Sequence, residues 1–231
     1  EIKEGNRKDA RLIYFKTDQN PKREIQEMLP GELERFGQEV YDEIYGGVPA
    51  RSAGVVFPQF SLTKHGKTIH WSPDLPVSLA IDPGYHWYAV NALQVLNGVP
   101  HMIDTVHVEE ATDYQVIHET KTRPWFRNLY MSGGGLISDI AAKQHRSESE
   151  KTTLEMWESE TGLRVRMQPV AIDAGTQVLA QFLLDATTGR ANFFYDPATC
   201  KPFEKEMFAY RKNAMGKPID RDNHHIKALI Y

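Results

Sequence analysis

The sequence predicts an α/β fold: a mixed five-stranded sheet, with strands 1–3 antiparallel and strands 4 and 5 parallel, flanked by helices. Three observations predict it. Residues 77–108 hold three successive strand patterns, the second and third joined by Asn97-Gly98, a strong hairpin dipeptide. Beyond Val108, helix and strand patterns alternate, as parallel crossovers require. Hydrophobic residues make up 41% of the 231-residue chain, enough for a sizeable core.

The elements follow in order. Residues 11–16 fit a strand and Asn20-Pro21 a turn. Residues 23–29 and 30–45 fit two helices, because proline suits a first helical turn and not an interior. The stretch 24–43 carries seven acids and one Arg, the pattern of a solvated face. Gly46-Gly47 ends it, Val55-Val56-Phe57-Pro58 is a short apolar stretch, and Ser72-Pro73-Asp74-Leu75-Pro76 reads as a linker. From Val77 the pattern changes. Residues 77–81 are a buried strand, 87–96 a second and 99–108 a third, in which His101, Ile103, Thr105 and His107 alternate with Met102, Asp104, Val106 and Val108. Thr112 caps a helix to about Lys121, and Ser132-Gly133-Gly134-Gly135 leads flexibly into the fourth strand, 136–138. Ser147 opens a helix with Glu150 at capping-box spacing. Residues 163–167 are the fifth strand, 172–185 an apolar buried helix, 189–195 a short strand or hairpin, and Asp222 or Asn223 caps a last helix.

Composition excludes several classes. No apolar run approaches the roughly 18 residues of a membrane span, and the charged residues 1–11 are no signal peptide. The single cysteine, Cys200, excludes an internal disulfide framework and a thiolate zinc site, and suits a reducing cytoplasm. None of the nine histidines forms an HExxH pair, and the adjacent His224-His225 face different sides of a helix. Gly66-Lys67-Thr68 resembles the tail of a phosphate loop, yet Ser61 stands where that motif needs Gly. No nucleophile-elbow serine is present. The net charge of -4 does not announce a nucleic-acid binder, although a local basic groove acts independently of the total. The chain lacks an initiator Met and stops on the apolar Ala228-Leu229-Ile230-Tyr231, so it is expected to be a piece of a longer protein.

The chemistry is expected at three acids. Asp82 ends the first strand before a Pro-Gly break, Asp139 ends the fourth, and Asp222 stands at the start of the last helix. Alone, each is an ordinary turn or cap residue. At the ends of three elements they can converge, and converging carboxylates repel unless divalent cations bind. Two cations about 3.5–4 Å apart clamp a phosphodiester. His86, four residues after Asp82, is either near such a site or a surface histidine.

The chain resembles the nuclease region of the large terminase subunit of tailed double-stranded DNA bacteriophages. The matching segments are Thr17-Asp18-Gln19-Asn20-Pro21, Phe36-Gly37-Gln38-Glu39-Val40-Tyr41, Gly54-Val55-Val56-Phe57-Pro58, Ile81-Asp82-Pro83-Gly84, Ile137-Ser138-Asp139-Ile140-Ala141, and the stretch from Asp222-Asn223-His224-His225 to Tyr231. The resemblance covers nearly the whole chain and rests on the order and spacing of these pieces. It implies an RNase H-like fold. It implies a metal-dependent endonuclease that cuts concatemeric viral DNA during packaging, with Asp82, Asp139 and Asp222 as catalytic acids and metal ligands. Asp220 is a fourth candidate ligand, and two Mg²⁺ or Mn²⁺ ions are the implied cofactors. Residues 1–76 would connect to a packaging ATPase outside this chain, and 77–231 would be the nuclease domain. Implied partners are double-stranded DNA, the ATPase domain of the same polypeptide, the small terminase subunit and the portal protein, in the host cytoplasm with no membrane. One departure stands out: the family usually has Asp where this chain has Lys227, which is expected on the outer helix face.

DNA contact is expected at local positive charge: Lys143 and Arg146 (with His145) after Asp139, Arg164 and Arg166 on the fifth strand, Arg190, and Arg211, Lys212, Lys217 and Arg221 before the last helix. Residues 201–227 carry seven basic and four acidic residues. Such contacts bind without sequence preference and weaken with salt. The rival readings are another RNase H-like nuclease, of resolvase or transposase type, and a non-catalytic DNA-binding or motor-coupling module.

Overall fold

The computed structural model describes residues 17, 20–36, 54–84, 86–139, 151–167, 169–213, 215–221 and 223–231. The chain divides into two compact units, Glu1–Ala53 and Gly54–Tyr231. In the first, helix α1 (Arg23–Phe36) runs on through Pro30. The two helices expected to meet there are one, at the cost of the hydrogen bond that proline cannot donate. The strand expected at 11–16 and the helix beyond Phe36 lie outside the described residues.

The second unit is built on a six-stranded sheet in the order β5-β4-β1-β2-β3-β6. Its strands are β1 (Ser78–Asp82), β2 (Trp87–Leu96), β3 (Val99–Glu109), β4 (Gly135–Ser138), β5 (Val165–Met167) and β6 (Phe194–Tyr195). β1, β2 and β3 form an antiparallel meander; β4 pairs parallel to β1, and β5 parallel to β4. This is the mixed sheet read from the sequence, extended by the short β6 parallel to β3. The β2–β3 turn holds Asn97 and Gly98 both at positive φ, 52° and 79°, as a two-residue hairpin of this hand requires.

The alternation expected in β3 breaks once. The pairing shifts between Ala92 and Leu93, so that Ala92 faces Asp104 and Leu93 faces Met102, leaving Ile103 as an extra residue. Met102 and Ile103 consequently join different core clusters.

Helices cover both faces. On one, Val116 and Ile117 of α3 (Asp113–Lys121) and Trp157 of α4 (Thr153–Thr161) pack with Leu79, Ile81, Tyr88 and Val106. Trp157 Nε1 donates to the Tyr88 hydroxyl at 2.8 Å, so the indole N–H is buried with a partner. Both helices start with capping boxes, Thr112/Gln115 and Thr152/Glu155. The box expected at Ser147/Glu150 lies outside the described residues.

On the other face, α5 (Ile172–Leu183), α6 (Lys201–Ala209) and α7 (His224–Ile230) enclose Met102, Phe193, Tyr195, Phe203, Met207 and Ile226. Val56, Phe57 and Phe60 enter this same core, and the single-turn helix α2 (Leu62–His65) is held by His65 Nε2, 2.8 Å from the Leu183 carbonyl. The stretch 72–76 is pinned as well: Asn128 Nδ2 donates to the carbonyls of Ser72, Pro73 and Leu75. α5 is not the buried helix expected, because Val178 and Phe182 are exposed. The lead into β4 is not loose either: a Cβ at Gly134 would lie 2.5 Å from the Leu129 carbonyl oxygen.

α5 meets α7 at Gly175, where a Cβ would come within 1.8 Å of Ile230 Cγ2. Gly175→Ala gains helix propensity worth about 1 kcal/mol. It also forces α7 off its seat, an overpacking cost of roughly 1–3 kcal/mol. A lower thermal midpoint for the alanine variant is expected; a higher one would show that α7 yields freely there.

A candidate acidic site at the carboxyl end of the sheet

The last couple in the β1–β4 ladder is Ile81 with Ser138, and Ser138 Oγ donates to the Ile81 carbonyl at 3.1 Å. The next residue on each strand is an acid, Asp82 and Asp139. Neighbouring strands run about 4.8 Å apart, so the two carboxylates leave the same end of the sheet side by side. Two like charges about 5 Å apart at an effective dielectric near 20 repel by roughly 3 kcal/mol, more than a surface ion pair returns. Beyond Asp82 the chain must turn sharply: a Cβ at Gly84 would sit 2.4 Å from the Trp87 carbonyl oxygen, which is why Pro-Gly follows the acid.

Helix α7 faces this pair. His224 Nδ1 donates to Asp82 Oδ2 at 3.0 Å, and the Tyr231 hydroxyl donates to Asp139. Burial first, then the charges of Asp82 and Asp139, push the Tyr231 phenol well above its usual range, so it stays a donor. Burial alone would lower the Lys227 ammonium, but its bond to Asp220 and the charge of Asp82 outweigh it and hold Lys227 above the ordinary lysine value. Lys227 is therefore on the acid face of the helix, not the outer face expected for it. His224, Lys227 and Tyr231 fall at i, i+3 and i+7, one stripe of an α-helix. Distance along the chain from Asp222 is a poor guide to that stripe.

α7 is seated by groups that the sequence does not advertise. Glu206 of α6 accepts from the Ile226 amide at 3.1 Å and bonds the His224 and His225 amides, so a side chain from another helix caps the first turn. Asn223, expected as a cap, instead donates to the Tyr210 hydroxyl. Burial, against the backbone amides and with help from Asp82, pushes the Glu206 carboxyl up to about 8. His225 is fully buried, and burial holds it down at about 3. It is neutral, so its Nδ1–H donates to Asn91 Oδ1 at 2.6 Å, and its Nε2 accepts from His107 Nδ1 at 3.0 Å. Asn91 Nδ2 returns a bond to the His225 carbonyl, which leaves both ring nitrogens of His225 and the Asn91 amide paired.

The other site residues expected from the sequence divide as follows. Asp222, Lys143 and Arg146 lie outside the described residues. Asp220 is exposed and engaged by Lys227. Arg164, Arg190, Lys212, Lys217 and Arg221 are exposed, and Arg211 is held by the Phe208 carbonyl. Arg166 reaches back over Gly135, at the far end of β4 from Asp139. His86 is exposed, its carbonyl accepting from the Glu110 amide.

Among the described residues no group of three or more His, Cys, Asp or Glu is gathered to hold a metal. Asp82 and Asp139 are nonetheless an oxygen donor pair suited to a hard divalent cation, and Mg²⁺ keeps several waters and needs only one or two protein carboxylates. The pair fits such an ion.

Neither a protein-family model nor a curated protein sequence matches the chain. Solved structures do. A large terminase from a thermophilic bacteriophage, in complex with ADP, superposes with a TM-score of 0.63 at 15% identity over 89% of this chain and 50% of that one. The P22 large terminase nuclease domain gives 0.60 at 16% identity, over 79% of this chain and 92% of that one. The large terminase nuclease of the thermophilic phage G20c with bound magnesium gives 0.53 at 12%, over 78% and 96%. The fold is therefore that of large terminase nuclease domains, and the chain spans about half the length of the ADP-bound terminase.

The two buried groups that seat α7 oppose each other in pH. His225 has a folded value of about 3 against 6.5 unfolded, so its contribution is full above 6.5 and is lost as pH falls from 6.5 to 3. Glu206 has a folded value of about 8 against 4.5 unfolded, so its contribution is full below 4.5 and is lost as pH rises from 4.5 to 8. Each changes stability by at most about 1.4 kcal/mol per pH unit. Denaturant midpoints between pH 5 and 6.5 should rise more steeply with pH in Glu206→Gln than in the parent. In His225→Asn they should rise less steeply, or fall. Parallel curves for all three proteins would remove both groups as titrating seats.

Proposed function

We propose that the chain is a divalent-metal-dependent endodeoxyribonuclease, and that it is the nuclease part of a phage large terminase cutting concatemeric double-stranded DNA during genome packaging. The observation that carries this reading is the placing of Asp82 and Asp139 on adjacent parallel strand ends, in a fold shared with large terminase nucleases. The G20c nuclease, which shares this fold, has bound magnesium, and that supports a divalent cation as the cofactor.

The residues take separable roles. Asp82 and Asp139 present oxygen ligands, with Asp222 as third ligand and Asp220 as a reserve that must first leave Lys227. Bound cations, two in this reading and Mg²⁺ or Mn²⁺ by donor chemistry, supply charge neutralisation at the phosphodiester and an activated water. His224 fixes the rotamer of Asp82 and Tyr231 that of Asp139, so that neither carboxylate reorients when DNA arrives. Lys227 adds positive charge where a phosphate must approach two acids. The exposed Lys212, Lys217 and Arg221 before α7 hold the DNA backbone non-specifically. The ATPase domain of the same polypeptide, the small subunit and the portal would be the partners, in the host cytoplasm.

Plasmid nicking in Mg²⁺ or Mn²⁺ tests this directly. Asp82→Asn, Asp139→Asn and Asp222→Asn should each lower the rate by roughly 100-fold or more while the fold melts normally. Cleavage retained in all three variants would exclude the mechanism.

A further inference from the structure

Beside Asp82, on the α6 side of His224, lies a cavity of about 310 Å³. That is near the lower bound of small-ligand pockets, about 300 Å³. One wall is aromatic. Trp87, 39% exposed at the start of β2, lies near-parallel to the His224 ring, with centroids 6.4 Å apart and planes at 20°. His107 adds a third ring, 5.5 Å from Trp87. The opposite wall is α6, which contributes Pro202, Ala209, the exposed cation Lys205 and Glu206, whose carboxyl is turned to the α7 amides. The aromatic wall is fixed: His107 is bonded to the buried His225, and His224 to Asp82.

A cleft with flat aromatic faces, a cation at its rim and one imidazole between it and a carboxylate matches a stacked heterocycle carrying a phosphate. We propose that this cavity is a base-stacking subsite, taking one unpaired nucleobase of the DNA strand held at Asp82. The inference rests on the nuclease reading. It adds that the strand is locally opened at the site, because a paired base must leave its stack to enter. Stacking is tolerant of base identity, so the subsite gives a preference for unpaired structure and not for sequence. Lys205 would meet the flanking phosphate.

The test is equilibrium binding by fluorescence anisotropy, using the 231-residue chain in EDTA. One probe is a duplex with a single unpaired base; the other carries an abasic residue at that position. The parent should bind the unpaired base about tenfold more tightly. Trp87→Ala removes one wall and Ala209→Phe fills the cavity, and neither replaces a carboxylate. Both should reduce the ratio to about one with unchanged melting temperature, and Ala209→Phe keeps the test decisive if Trp87→Ala is poorly folded. Equal affinity of the parent for the two probes, or a preference that survives in Ala209→Phe, would overturn the subsite. EDTA removes divalent cations, so the comparison is independent of cleavage. Absent nicking with an intact base preference sinks the nuclease reading alone, and the converse sinks the subsite alone.

Discussion

Everything at the carboxyl end of the central sheet depends on two carboxylates that strand pairing forces together. β1 is the strand where the sheet changes character, antiparallel to β2 on one side and parallel to β4 on the other. Only a parallel pair brings two strand ends out in the same direction, so Asp82 and Asp139 have no route apart. Leu79 and Ile81 of β1 and Leu136 of β4 are fully buried, and sliding either strand by a residue would turn its core face outward. The hydrophobic core therefore holds a repulsion that the carboxylates themselves oppose.

α7 answers that repulsion. Its short length gives little intrinsic helix stability, since isolated helices of this size are marginal in water. What keeps it folded is tertiary: Ile226 and Ala228 buried, Glu206 capping it from α6, and His225 locked into Asn91 and His107. The other stripe is then free to present His224, Lys227 and Tyr231 to the acids. One helix thus divides its contacts by face, the core on one side and the acids on the other. Gly175 sets how closely α5 lets it approach.

The strands are legible in the sequence because their apolar runs are short and end in turn residues, and the acids because each stands where such a run stops. β5 and β6 carry shorter signals, but in the right places. What escapes has no local signal. The Ala92/Leu93 bulge is a matter of pairing, invisible in the β3 alternation by itself. The cap of α7 comes from Glu206, far from Asn223 in sequence, and α6 itself is hard to read because its buried Phe203, Glu206 and Met207 include a carboxyl. The Thr152/Glu155 box that starts α4 also goes unread, although its spacing is that of any capping box. Lys227 is misread from sequence because its face is defined by the groups it meets and not by its distance from the preceding acid.

The true face of Lys227 changes how the site is understood. A lysine among carboxylates lowers the net negative charge a cation would otherwise see, and its bond to Asp220 must break before that acid can serve as a ligand. An exposed pair of this kind is worth about 0–1 kcal/mol, but Lys227 is half-buried and also attracted to Asp82, so it is held more firmly than Asp220. Asp220 is therefore the partner that gives way. Asp82 and Asp139 are fixed by the sheet and by His224 and Tyr231, whereas Asp220 sits in the exposed stretch before α7. In the nuclease reading, the two rigid acids set where a phosphodiester is placed. Any ligand added from the stretch before α7 has to adapt to that position, because the sheet leaves Asp82 and Asp139 no freedom to adapt to it.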